Sequence, residues 1–197
     1  MKLINNIAFL TMSILLINCS KKEVKYFTAQ EIDWKIEIPS KWTIENQSVL
    51  NQNIKQGEQL IKKTVDKDFE LGGKEISLIT FRKNTLSKLQ ASIIPFKESY
   101  KGEWYDKYPL IKEYIFNVFK SQSVIVDTTS NTENISGVTF EVFNLKISKH
   151  NRAVMEQNMY RTYINGYDFI INITSDKPLY KKQLIQTLRN SKFKNNI

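Results

Sequence analysis

The side chains of this chain that invite a chemical reading are Cys19, His150 and the alternating carboxylates Asp66, Asp68 and Glu70. A single Cys excludes a disulfide framework within the chain and any site built from several thiolates. His150 has no second His to join it in a metal site. It lies between Lys149 and Asn151-Arg152, in what reads as a loop between strands, and is expected to be a solvated loop residue rather than a general base. Asp66, Asp68 and Glu70 have the spacing that can offer oxygen ligands to Ca²⁺ or Mg²⁺. Lys67 sits between the two Asp, Gly72 and Gly73 come late, and no Glu closes a twelve-residue calcium register. A solvated loop is the better reading. There is no G-x-S-x-G elbow, P-loop or G-x-G-x-x-G fingerprint, so no metal, nucleotide or other cofactor is expected.

Position gives Cys19 its meaning. Lys2 precedes an uncharged apolar run, Ile7 to Ile17, too short for a membrane-spanning helix of about 20 residues and suited to a signal peptide. Leu16-Ile17-Asn18-Cys19-Ser20 resembles the lipobox of bacterial lipoproteins, with Asn18 where Gly, Ala or Ser is usual. The resemblance implies cleavage before Cys19 and acylation of its thiol, since stable anchoring takes more than one fatty chain. The expected organisation is a lipoprotein signal peptide over 1–18, a lipidated tether over 19–31 and one domain over 32–197. The expected location is the bacterial cell envelope, on a membrane.

The richest surface motif is Tyr100-Lys101-Gly102-Glu103-Trp104-Tyr105-Asp106-Lys107-Tyr108, aromatics interleaved with charges before a helix. Tyr100, Trp104, Tyr105 and Tyr108 form a candidate patch for a partner or ligand, because Trp and Tyr dominate binding energy at interfaces. The competing expectation is that Trp104 and Tyr108 anchor the segment to the core. The chain carries 29 Lys+Arg against 20 Asp+Glu, a net charge of +9, but the lysines are scattered and nucleic acid is not an expected partner.

These residues need a scaffold. A hydrophobic content of 41% with 6 Gly and 4 Pro supports one globular domain. Trp34-Lys35-Ile36-Glu37-Ile38 alternates with period two and meets Pro39, predicting a strand and a turn. Lys41 to Ile44 predicts a short extended piece. Leu50, Ile54, Ile61 and Val65 predict a helix over about 48–65. Strands are expected at 75–83, 88–96, 124–128, 138–148 and 154–164, with a polar loop over 131–137. A helix over 105–120 carries the stripe Tyr108, Ile111, Ile115 and Val118, with Pro109 in its first turn. Asn165-Gly166 predicts a type I′ hairpin into a strand from Tyr167. Asp176 is expected to cap a last helix reaching about Asn190.

Consecutive strands joined by tight turns, interrupted by three helices, predict an α+β domain with an antiparallel sheet. The Trp34-to-Trp42 opening (W-x-I-x-I-P-S-x-W), the Tyr163-to-Tyr167 hairpin and the ending Asn190-Ser191-Lys192-Phe193 resemble the PsbP-like fold. That fold occurs in photosystem extrinsic subunits, a Ran-binding import factor and bacterial envelope lipoproteins. It implies an antiparallel sheet of about six to seven strands packed between helices. It also implies action by docking on protein, hence an envelope protein partner, and because the sequence encodes no catalytic constellation the expected function is a non-catalytic binding or assembly module. The alternatives are a module binding a small ligand or glycan, and a hydrolase that assembles distant carboxylates.

Overall fold

The structure is a computed structural model that describes residues 24–46, 48–50, 52, 73–122, 124–150 and 152–194. Cys19, the Asp66-Asp68-Glu70 run and most of the helix expected over 48–65 lie outside these residues; positions 48–50 and 52 are helical. The chain runs β1 (Lys25–Ala29), β2 (Trp34–Ile38), β3 (Thr43–Ile44), β4 (Ile76–Arg82), β5 (Lys88–Pro95), α1 (Glu103–Lys120), β6 (Ile125–Ile135) and β7 (Val138–Lys149). It continues with β8 (Arg152–Ile164), β9 (Tyr167–Ser175), α2 (Pro178–Arg189) and β10 (Lys192–Phe193). The architecture is α+β, with a seven-stranded sheet in the order β3-β4-β5-β9-β8-β7-β6 and a three-stranded one in the order β1-β2-β10. All pairings are antiparallel.

Alternation along the strands decides which layer covers which face. Phe140 and Val142 of β7, Tyr160 of β8, and Phe169, Ile171 and Ile173 of β9 point to one face. There they meet Trp34, Ile36 and Ile38 of β2, Leu184 and Leu188 of α2, and Phe193 of β10. Trp34 packs edge-on against Phe169, with ring centroids 5.0 Å apart. Each such fully buried side chain contributes about 1.5–3 kcal/mol. The opposite face is covered by α1, whose Ile115 and Phe119 pack on Phe143, Leu145 and Met159.

Several sequence expectations hold. β2 buries Trp34, Ile36 and Ile38 and exposes Lys35 and Glu37. The Asn165-Gly166 turn takes positive φ at both positions, 52° and 82°, and pairs Ile164 with Tyr167. Others are corrected. The segment expected to be a tether to residue 31 is folded from Lys25, because β1 pairs with β2 and seals Ala29 and Ile32 in the core. The loop expected over 131–137 is mostly strand: β6 runs to Ile135 in register with β7, and Ser136-Gly137 makes a second positive-φ turn. As a sheet edge among the described residues, β6 exposes nearly all its side chains, so no apolar alternation marks it.

Both helix starts also differ. α1 begins at Glu103, which puts Pro109 in its second turn, where it has no N–H to give the Tyr105 carbonyl. Asp176 does not cap α2. The N-cap is Lys177 with Pro178 at the first helical position, and the Asp176 carboxylate instead accepts the Ser87 hydroxyl at 2.6 Å.

Candidate functional site

The aromatic segment is held at the start of α1 by a set of local hydrogen bonds. Gly102, at φ 93°, turns the chain into the helix in a conformation that disfavours any side chain. The Glu103 carboxylate accepts the Ser99 N–H at 2.6 Å and pairs with Lys107 at 2.7 Å. Both partners favour the charged form, Lys107 more than Ser99, and hold the Glu103 carboxyl below its ordinary value. Glu98 accepts the Trp104 N–H at 3.2 Å, so one acid satisfies a first-turn amide that Gly102 has no side chain to cap, and Glu103 ties the preceding loop to the helix.

The four predicted patch residues divide by exposure. Trp104 is 1% exposed and Tyr108 4%, and their rings stack at 5.2 Å. They anchor α1 to the sheet. Tyr100 is 56% exposed and Tyr105 47%. The Tyr100 hydroxyl donates to Asp106 at 3.0 Å, which raises its pKa, and the Tyr105 ring stands edge-on to Trp104 at 4.9 Å. The result is two tyrosines presented to solvent, Tyr105 on a buried aromatic base and Tyr100 bonded to the exposed Asp106. Beside them Phe96 and Tyr163 meet edge-to-face at 6.0 Å and line a shallow recess of about 360 Å³ with Lys97 and Glu98.

Beneath α1 lies an arrangement that the sequence reading did not single out. Arg161 of β8 and Asp168 of β9 form a two-pronged ion pair across the hairpin, and both are almost completely buried. Arg161 is in register with Ile170, and Tyr163 with Asp168, so the pair is diagonal on the face toward α1. A signal for it exists in the sequence: opposite charges at the same strand parity within two apolar runs flanking Asn165-Gly166. Tyr108 feels both charges, yet burial is the larger effect and pushes its hydroxyl far up. Among the described residues neither the Tyr108 hydroxyl nor the Trp104 indole N–H has a hydrogen-bond partner.

The other candidates are placed apart. His150 is an exposed turn residue at φ 50° between β7 and β8. A larger groove of about 620 Å³ runs along α2, on the other side of the sheet, and is lined by Lys177, Lys181, Lys182 and Arg189 among others. Two of these cations are committed: Lys181 to Glu156 at 2.5 Å and Arg189 to Glu133 at 2.6 Å. No group of three or more metal-ligating side chains occurs among the described residues.

No family model matches the chain, and no curated protein matches it in sequence. Among solved structures it is similar to the solution structure of cyanobacterial PsbP (CyanoP) from Synechocystis sp. PCC 6803. The TM-score is 0.57 at 9% sequence identity, over 87% of this chain and 92% of that one. Together with the antiparallel sheet between its two covering layers, this gives the chain the PsbP-like fold.

Proposed function

We propose that the protein is a bacterial cell-envelope lipoprotein, tethered through Cys19, whose single domain is a non-catalytic docking module for an envelope protein. The observation that carries the docking role is the pair Tyr100 and Tyr105, about half exposed, with the Tyr105 ring seated edge-on against buried Trp104 and the Tyr100 hydroxyl donating to Asp106. A tyrosine has only two side-chain torsions to fix on binding, so its contact area converts efficiently into affinity. The Leu16-to-Ser20 pattern supports the anchor. No helix among the described residues is long and apolar enough to cross a membrane.

Two measurements test this reading. Labelled fatty acid should enter the wild-type chain and not Cys19→Ser; equal labelling of both, or of neither, defeats the anchor. A photo-crosslinker placed at Tyr105 in intact cells should trap one discrete envelope protein, and Tyr100→Ala should abolish the adduct. An adduct of the same kind from a crosslinker at Thr132, on the edge strand β6, would defeat the site. A second reading, a small ligand or glycan, is favoured by the recess beside Phe96 and Tyr163, where two rings stand next to Lys97 and Glu98. Loss of glycan binding in Tyr163→Ala with the crosslink intact would select it.

A further inference from the structure

The early start of the fold has a geometric consequence for a chain anchored at Cys19. Only residues 20–24 separate that position from Lys25, where β1 begins. The six Cα–Cα steps from Cys19 to Lys25, fully extended, reach at most about 20 Å. A domain of this size has a radius of gyration of about 15 Å. The tether therefore keeps β1 within about one domain radius of the bilayer and favours contact between the headgroups and the surface around that strand.

That surface has the chemistry for such contact. The outward side of the three-stranded sheet carries Tyr26, Lys35, Glu37 and Lys192, all exposed, with Lys25 and Lys194 at its ends. Lys35 Nζ lies 4.4 Å from the centre of the Tyr26 ring, which is 54% exposed. α2 continues the same face: Leu179 and Lys182 line one groove with Glu37, and Leu179, at 73%, is the most exposed large apolar side chain described. Lysines interspersed with an aromatic ring and an exposed leucine suit a headgroup region, where cations meet phosphates and amphipathic rings settle at the interface.

We propose that the outer face of β1, β2 and β10, with the exposed side of α2, docks on an anionic phospholipid bilayer. The proposal rests on the Cys19 reading for its orientation. It places α1, its exposed Tyr105 and the neighbouring Tyr100 on the opposite side, facing away from the membrane and open to a partner.

The test uses the full chain with a fluorophore on a cysteine introduced at Lys192 or, on the α1 side, at Glu113, bound to vesicles of phosphatidylglycerol and phosphatidylcholine. The label at 192 should be shielded from iodide and the label at 113 should not. Equal quenching of the two overturns the proposal. So does equal shielding at 192 in the Cys19→Ser chain free in solution, without lipid or detergent, which would mean that the chain itself covers the label. The face is read apart from the anchor in the Cys19→Ser chain. This should still bind phosphatidylglycerol vesicles at low salt, and Lys35→Glu with Lys192→Glu should weaken binding about tenfold or more. Absence of acyl labelling with this binding intact would remove the anchor and leave the face. Acyl labelling with no charge-dependent binding would remove the face and leave the anchor.

Discussion

The Trp34 indole N–H donates to the Ser191 hydroxyl at 3.0 Å in the core, joining residues 157 positions apart. Beside this bond Phe193 pairs with Trp34 in the three-stranded sheet, and the Lys194 N–H donates to the Asp33 carbonyl at 2.8 Å. The two ends of the domain are thus closed on each other through the W-x-I-x-I opening and the Asn-Ser-Lys-Phe ending. Ser191→Ala would leave the buried indole N–H without an acceptor, a loss of about 1–3 kcal/mol. Urea unfolding should show that loss as a lower midpoint at unchanged slope, and an unchanged midpoint would mean that the bond is dispensable.

The buried Arg161–Asp168 pair gives a prediction of a different shape. Removing one member strands a charge in the interior, at about 3–5 kcal/mol, whereas replacing both by apolar residues of similar volume is often neutral. Arg161→Met and Asp168→Leu should therefore each destabilise strongly, and the double variant should be more stable than either single one. Additive losses in the double-mutant cycle would show that the pair is not coupled.

Legibility in the sequence followed burial. Where one face of a strand is buried and the other wet, as in β2, the period of two was readable from Trp34, Ile36 and Ile38 alone. Where a strand is an edge, as in β6, polar residues on both faces hide it. In the five-residue β1 the inward Phe27 and Ala29 are too few to set a period, and only pairing with a neighbour reveals either strand. The same limit applied to the candidate site. Sequence composition nominated Tyr100, Trp104, Tyr105 and Tyr108 together, but separating anchors from presented residues needs the direction of α1 over the sheet. Arg161 and Asp168 were legible as charges and not as a pair, because diagonal contact across a hairpin depends on register.

Acid titration should expose the terminus of α1. Glu103 has a folded-state pKa below its unfolded value, so its contribution is fully present above about pH 4.3. It is lost as the pH falls through the depressed folded value. The stability difference between wild type and Glu103→Gln should accordingly be largest at neutral pH and shrink in strongly acidic solution. Asp176, lowered by the Ser87 hydroxyl, predicts the same sign for Asp176→Asn. A difference that grows on acidification would contradict both assignments.

The aromatic segment makes the sharpest separation between structure and binding. Trp104 is sealed between Tyr105, Tyr108 and the sheet, so Trp104→Ala opens a cavity costing about 3–5 kcal/mol and should lower the unfolding midpoint whether or not a partner exists. Tyr100 and Tyr105 present much of their rings to solvent, and their replacement by Ala should change stability by no more than about 1 kcal/mol. If these two tyrosines are the docking residues, Tyr100→Ala and Tyr105→Ala will each weaken partner capture roughly tenfold or more at near-wild-type stability, as interface aromatics do. The decisive comparison is with Leu110→Ala, equally exposed on α1 and outside the tyrosine pair. Loss of capture in that variant to the same degree would mean that the whole helix surface binds, and that the pair has no special role.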